Sequence, residues 1–193
     1  MDKTLLNPKR SLPVFRILLL VILLLPLLML LAWYLGNKRK LVIAIVDQTV
    51  LTTRGQEHIS LDWVLNQERF TKNNNELYKK NQDYYGFFPE ANEKFQLKGL
   101  ERFNSSQLEQ LSNDVDAAYL TDAYGIYKNG WYKKGDAKER SGIVYGGMSI
   151  QDLSLLKLLK AKHKLIITEF NCLGSPTLPA VRNEFETMFG IQW

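Results

Sequence analysis

Hydrophobic positions fall into one long block and several short ones. Ile17 to Leu35 reads ILLLVILLLPLLMLLAWYL, 19 residues without a charge. At helical rise this run is about 28 Å long, close to the hydrocarbon thickness of a bilayer. Arg10 and Arg16 precede it, Trp33 and Tyr34 lie near its far end, and Lys38, Arg39 and Lys40 follow. Cations and aromatics in those places suit the two membrane interfaces. Pro26 disfavours a soluble helix and is tolerated in a membrane one. Ala32 is followed by Trp33, Tyr34 and Leu35, so no small-x-small cleavage site closes the run. The block predicts an uncleaved single-pass anchor over 17–36, contacting the bilayer through 17–35. A tail over 1–16 precedes it and one domain over 37–193 follows. A short tail and a large following domain are expected to put that domain on the extracytoplasmic side of the cell membrane.

The short blocks predict alternating strands and helices. LVIAIV (Leu41–Val46) is a continuous apolar run, the pattern of a strand buried on both faces of a parallel sheet. Ile59, Trp63, Val64 and Phe70 recur at helical spacing. Asn73, Asn74 and Asn75 break that pattern, and DYYGFFPE then reads as an aromatic loop closing over one sheet edge. Leu108 and Leu111 mark a short helix over 105–111. AAYL (Ala117–Leu120), IVY (Ile143–Tyr145) and LIITEF (Leu165–Phe170) predict three more strands. The glycine-rich stretch over 124–142 reads as a long surface loop. Ser149 and Asp152 form a capping-box pattern opening a helix that ends near His163. Pro179 to Phe189 predicts a last helix with Gly190 as its cap. This alternation predicts an open α/β sheet, mostly parallel and flanked by helices. The closing FGIQW reads as the entry to another element, so the expected domain is either minimal or continues further.

Charge narrows the partners. The formal net charge is +5, but residues 1–36 hold four basic groups against Asp2, and Lys38, Arg39 and Lys40 add three more. Residues 41–193 then carry 18 basic and 19 acidic groups. The basic excess belongs to the flanks of the apolar run, and no nucleic-acid partner is expected. One cysteine excludes an internal disulfide framework, and with two histidines it leaves no expected metal site. Neither GxGxxG nor GxxxxGK[ST] occurs, so no cofactor is implied.

Ligands of such sheets bind at the carboxyl ends of the strands. The residues expected there are Asp47 and His58 after the first strand, Asp122 and Tyr124 after the second, Gly146 and Gly147 after the third, and Glu169 and Asn171 at the fourth. They predict a rim that binds a polar or saccharide ligand, with the aromatics over 119–132 available to stack on a ring.

The segment IVYGG, a helix and KLIITEFNCLGS (143–175) resembles the core of class I glutamine amidotransferases. The resemblance implies oxyanion-binding backbone at Gly146 and Gly147 and a nucleophile at Cys172. Phe170 stands where that family has glycine, and no histidine follows Cys172. A thiolate needs a base or positive neighbours, and His58 is the candidate base on the expected rim. More widely, AIVDQTV, DYYGFFP, AYLTDAYGIY, IVYGG and TEFNCLGSPT resemble uncharacterised bacterial membrane-anchored proteins with an amidotransferase-like, flavodoxin-like domain. That resemblance implies a fold and a location without an activity. The expected function is a non-catalytic, membrane-anchored domain binding a polar ligand or partner, with a cysteine-dependent hydrolase or amidase using Cys172 as the alternative.

Overall fold

The computed structural model describes residues 11–52, 57–132 and 142–192. Most of the tail expected over 1–16, much of the loop expected over 124–142, and Trp193 lie outside the described residues. The chain divides into two units, Met1–Asn37 and Lys38–Trp193.

The first unit is helix α1, Ser11–Leu35. Its stretch Val14–Leu35 spans 22 residues at a mean hydropathy of 3.0, with all its side chains exposed. At helical rise this is about 33 Å, long and apolar enough to cross a bilayer. Pro26 sits inside the helix without ending it.

The second unit is an α/β domain. Its strands are β1 (Arg39–Lys40), β2 (Ile43–Asp47), β3 (Phe70–Thr71), β4 (Tyr85–Pro89), β5 (Phe95–Leu97), β6 (Ala117–Leu120), β7 (Ile126–Tyr127), β8 (Ile143–Tyr145) and β9 (Leu165–Thr168). Its helices are α2 (Ile59–Gln67), α3 (Ser105–Asp114), α4 (Lys128–Trp131), α5 (Ile150–Ala161) and α6 (Pro179–Phe189). The main sheet has the order β5-β4-β2-β6-β9. The pairs β4–β2, β2–β6 and β6–β9 are parallel, and β5 adds an antiparallel edge.

The alternation of β2 sorts the core into two layers. Ala44 and Val46 face a cluster built from Leu108 of α3, Leu153, Leu156 and Leu159 of α5, and Val181 and Phe185 of α6. Ile45, between them, faces the opposite cluster with Leu65 of α2, Tyr78, Tyr84 and Phe88. Helices therefore cover both faces, as the alternating pattern predicts. On the Ile45 side the cover stops short of β9, where Leu165 and Ile167 are exposed. Capping boxes start α3 at Asn104 and α5 at Ser149.

Four expectations are corrected. The described part of the stretch expected as a surface loop over 124–142 holds β7 and α4, and Phe70, expected on the first helix, lies in β3. IVY does not join the main sheet: β8 pairs antiparallel with β7 in a separate two-stranded ribbon. Gly146 and Gly147 therefore do not end a strand of that sheet. The place goes to DYYGFFPE, which is strand β4 rather than a loop. Its Gly86 passes so close to β2 that a Cβ there would lie 1.8 Å from the Asp47 carbonyl oxygen. Phe87 and Phe88 are buried rather than displayed.

Candidate functional site

The parallel strands run in sequence order β2, β4, β6, β9. The chain leaves β2 for β4 on one side, then crosses back to β6 on the other. The sheet thus reverses direction between β2 and β6, and crevices open at the carboxyl ends beside such a reversal. Three acidic side chains from three loops meet at this edge. Glu57 lies just before α2, Asp122 two residues after β6, and Glu169 directly after β9. One oxygen of each lies within 4.8 Å of the others.

Neighbouring groups hold these carboxylates in place. The Tyr119 hydroxyl donates to Glu169 Oε1, and the Tyr124 hydroxyl donates to Glu57 Oε1. The Asn171 backbone N–H and side-chain amide donate to the two oxygens of Asp122, each at 2.8 Å. The Asp122 backbone N–H donates to Glu169 Oε2 at 3.3 Å. Burial pushes the Glu57 carboxyl above its ordinary value. The Tyr124 hydrogen bond pulls it back in part, and the charges of Asp47, Asp122 and Glu169 push the same way as burial. Burial and the bonded Glu57 carboxylate push the Tyr124 phenol up to about 12, so it remains a donor. The cluster is half-buried and negative, and a single positive group can be shared among its three oxygens.

Asp122, Tyr124, Glu169 and Asn171, expected at the rim, are thus brought together. Tyr119, expected among the aromatics over 119–132 as a stacking ring, joins them as a hydrogen-bond donor, and Glu57 joins them without having been expected. Asp47 and His58 sit behind the cluster as a buried pair. Asp47 Oδ1 accepts from the Thr49 backbone N–H at 2.9 Å and the Thr49 hydroxyl at 2.8 Å, and Oδ2 lies 2.6 Å from His58 Nδ1. His58 Nε2 is 2.8 Å from the Lys80 carbonyl oxygen. Burial alone would raise the Asp47 carboxyl, but the bonds from His58 and Thr49 outweigh it and hold the group below its usual value. Burial alone would lower His58, but Asp47 and the Lys80 carbonyl outweigh it and hold the ring above its ordinary value.

Gly146 and Gly147 are occupied by packing. At φ 144° and 84°, their backbone passes Gly125 and Pro176 at distances that a Cβ would close to 2.3 and 3.0 Å. The Gly147 N–H donates to the Ala123 carbonyl. Cys172 is buried, and its thiol donates to the Thr121 carbonyl oxygen at 2.8 Å. Burial pushes the thiol up to about 12, so at neutral pH it stays protonated. The pairing with His58 that the sequence suggested is not formed, because both ring nitrogens of His58 face Asp47 and Lys80. A separate cleft of about 410 Å³ opens at the amino end of the sheet, lined by Val42, Lys72, Tyr78 and Leu111.

No family model, curated protein or solved structure matches the chain.

Proposed function

We propose that the protein is a membrane-anchored α/β domain that binds a small organic cation at the carboxyl edge of its sheet, without catalysing a reaction. In this reading α1 is the single-pass anchor, and the domain lies on the extracytoplasmic side of the cell membrane. The strand order β4-β2-β6-β9, or 2-1-3-4 along the chain, supports a flavodoxin-like assignment.

The convergence of Glu57, Asp122 and Glu169 carries the ligand reading. Ionised carboxylates only accept hydrogen bonds, so a ligand that hydrogen-bonds to them must be the donor. A planar guanidinium or an ammonium supplies both donors and charge. The half-exposed rings of Tyr119 and Tyr124 add faces that favour a cation. A saccharide shares the donors but leaves the charge uncompensated.

The test is calorimetric titration of the full chain in lipid nanodiscs with methylguanidinium, glucose and calcium chloride. Methylguanidinium binds in the expected outcome, and Asp122→Asn weakens it about tenfold through loss of one charge-assisted partner. Preference for glucose or calcium would replace the organic-cation reading. Binding unchanged in Asp122→Asn would overturn the assignment of the site.

A further inference from the structure

We infer that His58 is the positioning residue of the carboxyl-edge site, its ring clamped between Asp47 and Lys80 so that the adjoining Glu57 is held beside Asp122 and Glu169. The inference rests on the ligand reading above, and it follows from which atoms face the ring. Nδ1 lies 2.6 Å from a carboxylate oxygen and Nε2 lies 2.8 Å from a carbonyl oxygen. Neither partner can donate while Asp47 is ionised, so the ring satisfies both only by carrying a proton on each nitrogen. A neutral imidazole would turn a lone pair toward one of the two acceptors.

The charged ring is almost fully enclosed, at 1% exposure. Each element packed against it contributes. Asp47 comes from the end of β2. Asp62, one turn along α2, has Oδ2 at 3.7 Å from Nε2. The segment before β4 brings the Lys80 carbonyl, together with the charges of Lys80 and Asp83, which reach the ring's neighbour Asp62. The Tyr84 ring lies 4.6 Å away, centroid to centroid, and favours a cation. Acidic groups outnumber basic ones around the ring.

The connection to the site is the backbone itself. Asp47 holds both ends of the loop that carries Glu57. It accepts from Thr49 at one end, and at the other from the His58 ring and, at 3.4 Å, the His58 backbone N–H. Glu57 is the residue immediately before His58, so the neck that fixes His58 also fixes where the Glu57 carboxylate starts. When the ring loses its second proton, one of its two bonds is lost and the neck loosens. Cation binding is then lost at alkaline pH, by a route separate from the acid limb that protonated carboxylates produce.

The full chain has two histidines, so ¹⁵N-histidine NMR in nanodiscs resolves the His58 ring, with His163→Gln giving the assignment. The expected result is protons on both ring nitrogens at neutral pH. As the pH is raised above neutral, methylguanidinium affinity and the Glu57 carboxyl ¹³C signal should follow the ring's loss of its second proton. Methylguanidinium keeps its charge over that rise. His58→Gln should bind about tenfold more weakly at neutral pH, with its near-ultraviolet dichroism intact and no further loss on raising the pH. A singly protonated ring at neutral pH, or a Glu57 signal independent of the ring, would overturn the positioning role even if His58→Gln fails to fold. Absence of methylguanidinium binding by the wild type at every pH would instead overturn the ligand reading. The ring and Glu57 signals would still decide the positioning role.

Discussion

Asp62 is buried with little compensation. It is 3% exposed, and among the described residues neither of its carboxylate oxygens has a hydrogen-bond partner. Burial, with the charge of Asp83, pushes its pKa from 3.8 up to about 6, against the partial relief that His58 and Lys80 provide. The folded protein therefore holds this proton more tightly than the unfolded chain. Stability falls as pH rises from about 4 to about 6, and the ionised form is a net cost at neutral pH. Asp62→Asn is expected to raise stability by about 1–2 kcal/mol at neutral pH and to change it little below pH ~4. Thermal melts of the full chain in nanodiscs at both pH values would check this. A loss of stability at neutral pH would mean that the ionised carboxylate contributes more to holding His58 than its burial costs. Cys172 and the glycine pair fit the same scale. The thiol, Gly146 and Gly147 are each engaged by packing or backbone contacts that sequence motifs do not encode.

At the scale of elements, the chain's pattern predicts α5, α6, β2, β6 and β9 closely, because each joins a periodic apolar run to a turn or cap. Ser149 with Asp152 marks the start of α5, and Pro179 and Gly190 bracket α6. Strand β4 was illegible for a physical reason. Gly86 and Pro89 are residues that weaken strands, and the four aromatics around them show no alternation. Glycine is required there by the neighbouring strand, which only the folded structure reveals. Gly86→Ala would force a Cβ into the Asp47 carbonyl and separate β4 from β2. We expect a loss above about 3 kcal/mol, read as a lowered melting temperature in the same nanodisc assay. A shift no larger than that of a surface substitution would contradict the pairing. The converse error is IVY, where three apolar residues look like a core strand and belong to a ribbon. Glu57 was missed because nothing in its local pattern separates it from any acidic residue before a helix. Its role comes from contacts with residues more than sixty positions away.

The whole molecule joins an apolar helix to a sheet whose loops concentrate negative charge at one edge. Only the second part bears on ligand choice. Each of the three carboxylates comes from a different loop, so the cluster exists only if β2, β6 and β9 lie parallel and side by side, as they do. The same arrangement places the His58–Asp47 pair behind the cluster. The carboxyl ¹³C signal of Glu57, assigned with Glu57→Gln and followed against pH in the wild type and in Glu169→Gln, tests this convergence most directly. Glu57 should titrate above the ordinary glutamate value, return toward it when the charge at residue 169 is removed, and fall when methylguanidinium is added. A Glu57 that titrates at the ordinary value and ignores both changes would contradict the convergence and the cation site built on it.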